Sequence, residues 1–526
     1  MNLEIVIALS HKRFSQYWLP LLSGGLLSLS FPRPGFYPLA WIAFLPLFFS
    51  IAEQTPKKAF LSGWLTGLVY FGGTLYWITP TLWHGGLPWF FSVFVSFLLI
   101  SYLGLYVGLF SALLKYAIDE KGRSGLLVAP VLWVVLEWVK GHFLTGFPWA
   151  SLAYSQTEFL SMIQIADFGS IYVVGFVMMF CNRALYCSLR GLFHEGSHSD
   201  GFDWQPLVLA GLVFCLSFFY GTFRLSESLE TKKQISLAVI QGNIAQDKKW
   251  DRSFQRETLE VYLRLSEAVF KDSGKKPELI LWPESSLPFI FGTEAVYEKG
   301  LLGFSKNMDV PLLFGAPSMG VASGGRISLR NSAYLITPDS EHVVKYDKMH
   351  LVPFGEYVPF PELLFFIKKL VQGLADFSPG DKAVIFEVGQ ARLGTAICFE
   401  LIFPELVRRF VQNGATLMTT ITNDAWFGDT SAPDQHFSMM VFRAIENRIS
   451  FARAANTGIS GFVDARGRVI SKTTLFNEES ASATLDLRGE TTLYTRFGDF
   501  FAAFCVIIAL YFLCIAFMKR RTKNAV

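Results

Sequence analysis

The sequence predicts a helical membrane bundle of about eight spans joined to an α/β domain outside the cytoplasm. Three observations carry that reading. Apolar stretches lie near residues 16–31, 37–53, 59–80, 88–114, 125–141, 168–186, 206–222 and 498–518, most of them near the ~20 residues that cross a bilayer as helix. Between the seventh and the eighth lies a segment of ordinary charge content, about 232–490, large enough to bury a core of its own. Basic residues flank the spans on alternate sides, which sets the orientation.

Of 526 residues, 52% are hydrophobic and 17% charged, a balance outside the range of soluble enzymes. The net charge is +3, and no arginine-rich stripe or stacking platform points to nucleic acid. The two shortest stretches, 16–31 and 37–53, also suit re-entrant or interfacial segments. The first has no small-residue cleavage site and runs at once into further spans, so it is expected to remain in the chain. Lys12 with Arg13, Lys57 with Lys58, Lys115, Lys121 with Arg123, Arg183, Arg190 and the tail Lys519, Arg520 and Arg521 fall on one side if the N-terminus is inside. The opposite loops hold little more than Arg33 and Lys140. Both termini are therefore expected in the cytoplasm, with seven spans in 1–231, the polar domain at 232–490 outside, and the last span and basic tail in 491–526.

Within the polar segment, QISLAVIQGN (234–243), ELILWPES (278–285), VPLLFGAP (310–317), NSAYLITPD (331–339), AVIFEV (383–388), RLGTAICFE (392–400) and TLMTTITND (416–424) read as short buried strands ending in turn residues. SFQRETLEVYLRLSEAVF (253–270) and QHFSMMVFRAIENRISFARAA (435–455) show apolar faces at helical spacing. Alternation of the two kinds argues for a layered α/β domain, in which sites collect at strand ends.

Three strand ends carry chemistry. Five of the six cysteines lie in the apolar stretches, whereas Cys398 is alone in the polar domain. A lone cysteine is ordinarily a small core hydrophobe, and a glutamate after a strand is ordinarily a cap. Glu284 closes the strand at LWPES, and VVKYDKMHLVPFGEYVP supplies Lys348 and Glu356. A carboxylate able to take a thiol proton and an ammonium able to stabilise thiolate and oxyanion make Cys398 a candidate nucleophile.

The ordered set WPE, YDK followed by HLVPFGE, and ICFE resembles the nitrilase, or carbon–nitrogen hydrolase, superfamily. Joined to seven upstream spans and one downstream, and with VIQGNIAQDKKW, PFGEYVPF and TNDAWFG, it looks like the apolipoprotein N-acyltransferases, the family that places the third acyl chain on bacterial lipoproteins. The resemblance implies a nitrilase-like αββα sandwich on the periplasmic side of the bacterial inner membrane. Glu284 would be the general base, Lys348 the electrostatic stabiliser and Cys398 the nucleophile, with Glu356, Phe399 and Glu400 in support. Many nitrilase-like domains have a tyrosine after the nucleophile; Phe399 lacks that hydroxyl.

The implied reaction moves an acyl chain from a membrane phospholipid, through a Cys398 thioester, to the amine of a diacylated apolipoprotein, with no cofactor and no metal. Two rivals are a membrane-tethered amidohydrolase using the same three residues and a transporter or receptor with an external binding domain. The second fits poorly, because the apolar stretches are nearly devoid of charge away from their ends. Trp250, Trp426 and Phe427 suit an acyl path or ordinary core packing, and Phe147 lies in the external loop GFPWASL, placed to close the mouth of the site. FPELLFFIKKLVQ (360–372) suits either an interfacial lid or an internally packed helix. Glu137 and Lys140 read as an interfacial ion pair, and His194 with His198 as a solvated cytoplasmic loop.

Overall fold

The structure, a computed structural model, describes residues 17–193, 202–227, 233–246, 248–272, 276–321, 327–339, 343–359, 362 and 377–524. His194, His198 and most of the 360–372 stretch lie outside them. The chain forms two compact units: residues 1–79, 90–226 and 497–526 make one, and 80–89 with 227–496 the other.

The first unit is helical. Among the described residues three helical stretches are long and apolar enough to cross a membrane: Trp89–Thr145, Ala166–Leu192 and Gln205–Ser226. Eight were expected from the apolar stretches, and the difference has identifiable causes. The Trp89–Thr145 stretch folds at the turn Gly122–Val128 into two helices, Trp89–Lys121 and Ala129–His142. Helix Tyr17–Leu29 has 13 residues, about 20 Å at 1.5 Å per residue against a ~30 Å hydrocarbon core. The stretch at 37–53 divides into a 3₁₀ turn, Tyr37–Trp41, and a helix, Leu45–Ile51, which carries Pro46 in its first turn. Helix Pro56–Thr74 has 19 residues, but Lys57, Lys58 and four glycines dilute its apolar character.

Small residues draw these helices together. A Cβ on Gly67 would lie 2.6 Å from the Cα of Gly104, so Pro56–Thr74 crosses Trp89–Lys121 at backbone contact, as small residues four apart allow. Glu137 and Lys140 are buried rather than interfacial. Leu152 N donates to Glu137 Oε1 at 2.7 Å, and Lys140 Nζ donates to Trp149 O at 3.2 Å. The GFPWASL loop is therefore docked on the helix Ala129–His142, with Trp149 buried and Phe147 stacked on it at 6.3 Å. A desolvated charge needs such partners, and the loop backbone supplies them.

The second unit is built on two six-stranded sheets. In the first, β12 (Glu479–Asp486), β1 (Gln234–Gln241), β2 (Leu279–Leu281), β3 (Leu312–Val321), β4 (Ile327–Ile336) and β5 (Val344–Asp347) lie side by side in that order. The second runs β11 (Val469–Lys472), β10 (Gly461–Val463), β9 (Phe451–Ala455), β8 (Leu417–Thr422), β7 (Ala391–Ile397) and β6 (Ile385–Val388). Each has parallel strands at its centre and antiparallel strands outside. The sheets face each other, β1 against β9 and β4 against β7.

Helices cover the outer faces. The helix α1 (Gln255–Asp272) lies on β1 and β12, and α2 (Ala295–Met308) adds Leu301 and Phe304 to a core with Ile280, Trp282 and Leu312. On the other sheet, α3 (Pro404–Gln412) packs against β7, and α4 (Ala432–Asn447) follows β8. The expected helix over 435–455 ends early: Arg448 adopts φ +47° and the chain re-enters the sheet as β9. The left-handed cap is what divides the expected helix from the strand.

The turn after β2 is held close against β3. A Cβ on Gly315 would stand 2.6 Å from Glu284 Cα and from Ser285 N, so the position admits glycine alone. Gly315→Ala is expected to cost about 1–3 kcal/mol of overpacking and to displace Glu284; thermal unfolding of the detergent-solubilised variant, with its acyl-transfer rate, measures both.

Candidate active site

Glu284, Lys348 and Cys398 each follow the last residues of a strand: β2 leads through Trp282 and Pro283 to Glu284, β5 ends one residue before Lys348, and β7 ends one residue before Cys398. The topology brings these ends together. Lys348 Nζ lies 3.0 Å from Glu356 Oε1 and 3.5 Å from Glu284 Oε1. The ammonium is fully enclosed, at 1% exposure. Burial works against its charge, but Glu356 and then Glu284 outweigh it and raise the pKa above that of a free lysine.

Asn331, the fifth residue of β4, ties the carboxylates to each other. Its Nδ2 donates to Glu284 Oε1 at 2.7 Å and to Glu356 Oε1 at 2.8 Å; two acceptors on one atom identify it as the amide nitrogen. Backbone donors fill the remaining oxygens, Asn423 N to Glu284 Oε2 at 2.9 Å and Val352 N to Glu356 Oε2 at 2.7 Å.

Cys398 has φ +53°, a left-handed conformation that non-glycine residues adopt at a cost. Its carbonyl meets His436 Nε2 at 3.1 Å. Since the carbonyl can only accept, that nitrogen carries the hydrogen. Burial and the Arg453 guanidinium hold the His436 pKa down, with Asp424 pulling the other way; its Nδ1 lies 3.1 Å from Arg453 Nη2 and 3.3 Å from Asp424 Oδ1. The same guanidinium binds Asp424 Oδ2 at 2.7 Å and, against burial, keeps that carboxyl well below the usual carboxylate range. Burial, then the neighbouring Glu284 carboxylate, pushes the Cys398 thiol well above its ordinary pKa, with Lys348 pulling the other way. At rest the sulfur is a thiol, and a base is needed to activate it.

Glu400 braces the segments carrying Cys398 and Lys348. Its carboxyl accepts from Ile397 N at 2.8 Å, Tyr346 OH at 2.7 Å and Met349 N at 2.7 Å. Phe399 lies edge-on to Phe403, 5.2 Å between ring centres. Of the residues expected to bind substrate, Trp250 is 48% exposed and Trp426 37%, so neither is core packing; Trp426 and Phe427 sit in the turn Asp424–Phe427 that follows β8. Asn331, Asp424, His436 and Arg453 escaped sequence reasoning. Asp424 lies within the TNDAWFG motif, the one signal that pointed near it.

Comparison with known proteins agrees with this geometry. Residues 23–184 match the apolipoprotein N-acyltransferase N-terminal domain and residues 236–493 the carbon–nitrogen hydrolase family. An apolipoprotein N-acyltransferase of Geobacter metallireducens is 42% identical over 505 residues, 96% of each chain. The chain belongs to the apolipoprotein N-acyltransferase family. A member from Chlorobaculum tepidum is 31% identical over 98% of this chain and 99% of that one. Among solved structures, Saccharomyces cerevisiae Nit3, a member of branch 10 of the nitrilase superfamily, is 19% identical with a TM-score of 0.38, covering 50% of this chain and 93% of that one. As a member of the family the chain is an acyltransferase with a nitrilase-like domain.

Burial moves Glu400 up to about 7, against the backbone donor at Ile397 and the Lys348 charge. The folded chain thus holds a proton there, between its ordinary 4.5 and about 7, that the unfolded chain has released. Stability contributed by this group is full below 4.5 and is lost as pH rises through about 7. Glu400→Gln is expected to remove that slope, read as the difference in unfolding temperature between mildly acidic and mildly alkaline buffer.

Proposed function

We propose that Cys398 is the nucleophile, Glu284 the general base and Lys348 the oxyanion stabiliser of a two-step acyl transfer. The observation that carries this reading is the enclosed Lys348 ammonium shared by Glu284 and Glu356 beside a strained, still protonated Cys398. Glu284 takes the thiol proton, and the sulfur attacks the ester carbonyl of a membrane phospholipid. As the tetrahedral intermediate collapses, the glycerol oxygen leaves with the proton from Glu284, giving a lysophospholipid and a Cys398 thioester. The amine of a diacylglyceryl-cysteine apolipoprotein then attacks the thioester carbonyl and gives a proton to Glu284. Collapse forms the amide, and the departing sulfur regains the proton.

Lys348 and the backbone N–H of Phe399 face the developing oxyanion. Loss of one such donor typically costs about 10²–10³ in rate. Exposed Trp250 and Trp426 suit contact with acyl chains, and Phe147 is a further candidate for contact with substrate. In this reading the helical unit crosses the bacterial inner membrane about eight times, its shorter apolar helices completing the bundle. The catalytic unit lies on the periplasmic side and both termini in the cytoplasm. Support for the orientation comes from the basic residues, which fall on one side of the spans.

Incubated with phospholipid alone, the chain is expected to gain acyl mass on Cys398 and to release lysophospholipid; added diacylated lipopeptide should discharge it. Acyl mass on another residue, or free acid in place of amide, contradicts the scheme. Cys398→Ala should lower turnover by at least about 10³-fold with an unchanged unfolding temperature.

A further inference from the structure

One buried charge near this site has no part in the scheme. Lys249, in the loop between β1 and α1, is 1% exposed. Among the described residues its ammonium makes one hydrogen bond, to the backbone carbonyl of Glu284 at 3.1 Å. A buried ammonium normally sits against a carboxylate, as Lys348 does twice over; Lys249 has a single neutral partner and N–H groups to spare. The arrangement is built rather than incidental. The loop is fastened to the opposite sheet by Ile244 N on Asn456 Oδ1 at 2.9 Å and by Asn423 Nδ2 on Gln246 Oε1 at 2.8 Å. Asn423 is also the residue whose N–H holds Glu284.

The charge inventory explains what such a lysine is for. Glu284 and Glu356 are two negative charges against the single positive charge of Lys348, and Glu284 is the larger charged influence opposing a Cys398 thiolate. Transfer of the thiol proton to Glu284 keeps the net charge of the site and moves the negative charge onto the sulfur and then onto the oxyanion, where a second cation would stabilise it. Burial lowers Lys249 to about 8, with the Glu284 carboxylate and, once ionised, Cys398 pulling the other way. It is therefore largely protonated near neutral pH and held at the expense of its solvation.

We propose that Lys249 is a second ammonium of the acyl-transfer site, whose uncommitted N–H groups stabilise the Cys398 thiolate and the anionic intermediate that the thiolate forms. The proposal rests on the assignment of Cys398 as nucleophile and adds a group to it. Lys348 divides its charge between the two carboxylates and the oxyanion, and Lys249 adds a second positive charge to the same anion.

The test uses the full chain in detergent, with Lys249→Met and Lys249→Arg. Alkylation of Cys398 by iodoacetamide at pH 7, followed on its own peptide by mass spectrometry, reports the thiolate without reference to any substrate. At pH 7, where Lys249 is largely protonated, alkylation in Lys249→Met is expected to slow about tenfold, the equivalent of one pH unit in thiolate population. Acyl-enzyme formation from phospholipid should slow to a similar extent, while Lys249→Arg retains both. Because methionine replaces a desolvated charge, the unfolding temperature of Lys249→Met should equal or exceed that of the parent, which a merely structural lysine would not allow. A Lys249→Met protein that alkylates and acylates like the parent overturns the proposal. If that variant does not fold, Lys249→Arg decides: an alkylation rate at pH 7 at or above the parent's supports it, and a slower rate in folded protein overturns it. Absence of acyl mass on the parent's Cys398 would instead remove the acyl-transfer reading, with the alkylation comparison still deciding the electrostatic role of Lys249.

Discussion

An ammonium enclosed by protein is unstable unless negative charge is brought to it, and Lys348 has two carboxylates within 3.5 Å. Those carboxylates repel one another unless something lies between them. The ammonium and the Asn331 amide fill that role together. Four separate segments, after β2, on β4, after β5 and at Glu356, are thereby locked to one point. Removal of any one member leaves a buried charge without its partner, which is why the cluster constrains everything around it.

The fold delivers this cluster by placing strand ends side by side and sealing them with apolar layers. Helices cover the outside of both sheets, while buried polar pairs such as Thr395 with Thr419 link neighbouring strands β7 and β8. Into that frame Cys398 is set with a left-handed backbone, its carbonyl gripped by His436 and the ring in turn oriented by Arg453. The chain holds the sulfur as a thiol in a dry, anionic setting, so reactivity has to be supplied by proton transfer and by cations.

Much of this was legible from residues. The lone cysteine of the polar domain, WPE and YDK stand at strand ends, and strand-like runs from QISLAVIQGN to TLMTTITND correspond to observed strands. What escaped notice had no local signature. FARAA carries no alternation and follows a helix, so its membership of β9 depends on the Arg448 cap and on pairing with Met418 to Thr422. Asn331 is an ordinary strand polar residue until Glu284 and Glu356 arrive on either side of it. Glu137 and Lys140, three apart on one helix, suited an interfacial pair; both are buried, and the 146–152 loop gives each a backbone partner.

By itself the sequence determined the apolar character of the first unit, the strand and helix periods of the second and the identities of the reactive groups, because hydrophobicity, periodicity and side-chain chemistry are properties of short stretches. The tertiary structure alone decided which apolar stretches became long helices, which carboxylates share Lys348, and that the Lys249 ammonium is buried against the Glu284 carbonyl. Those outcomes depend on desolvation and on distances between residues far apart in the chain, and neither is defined until the chain has closed on itself.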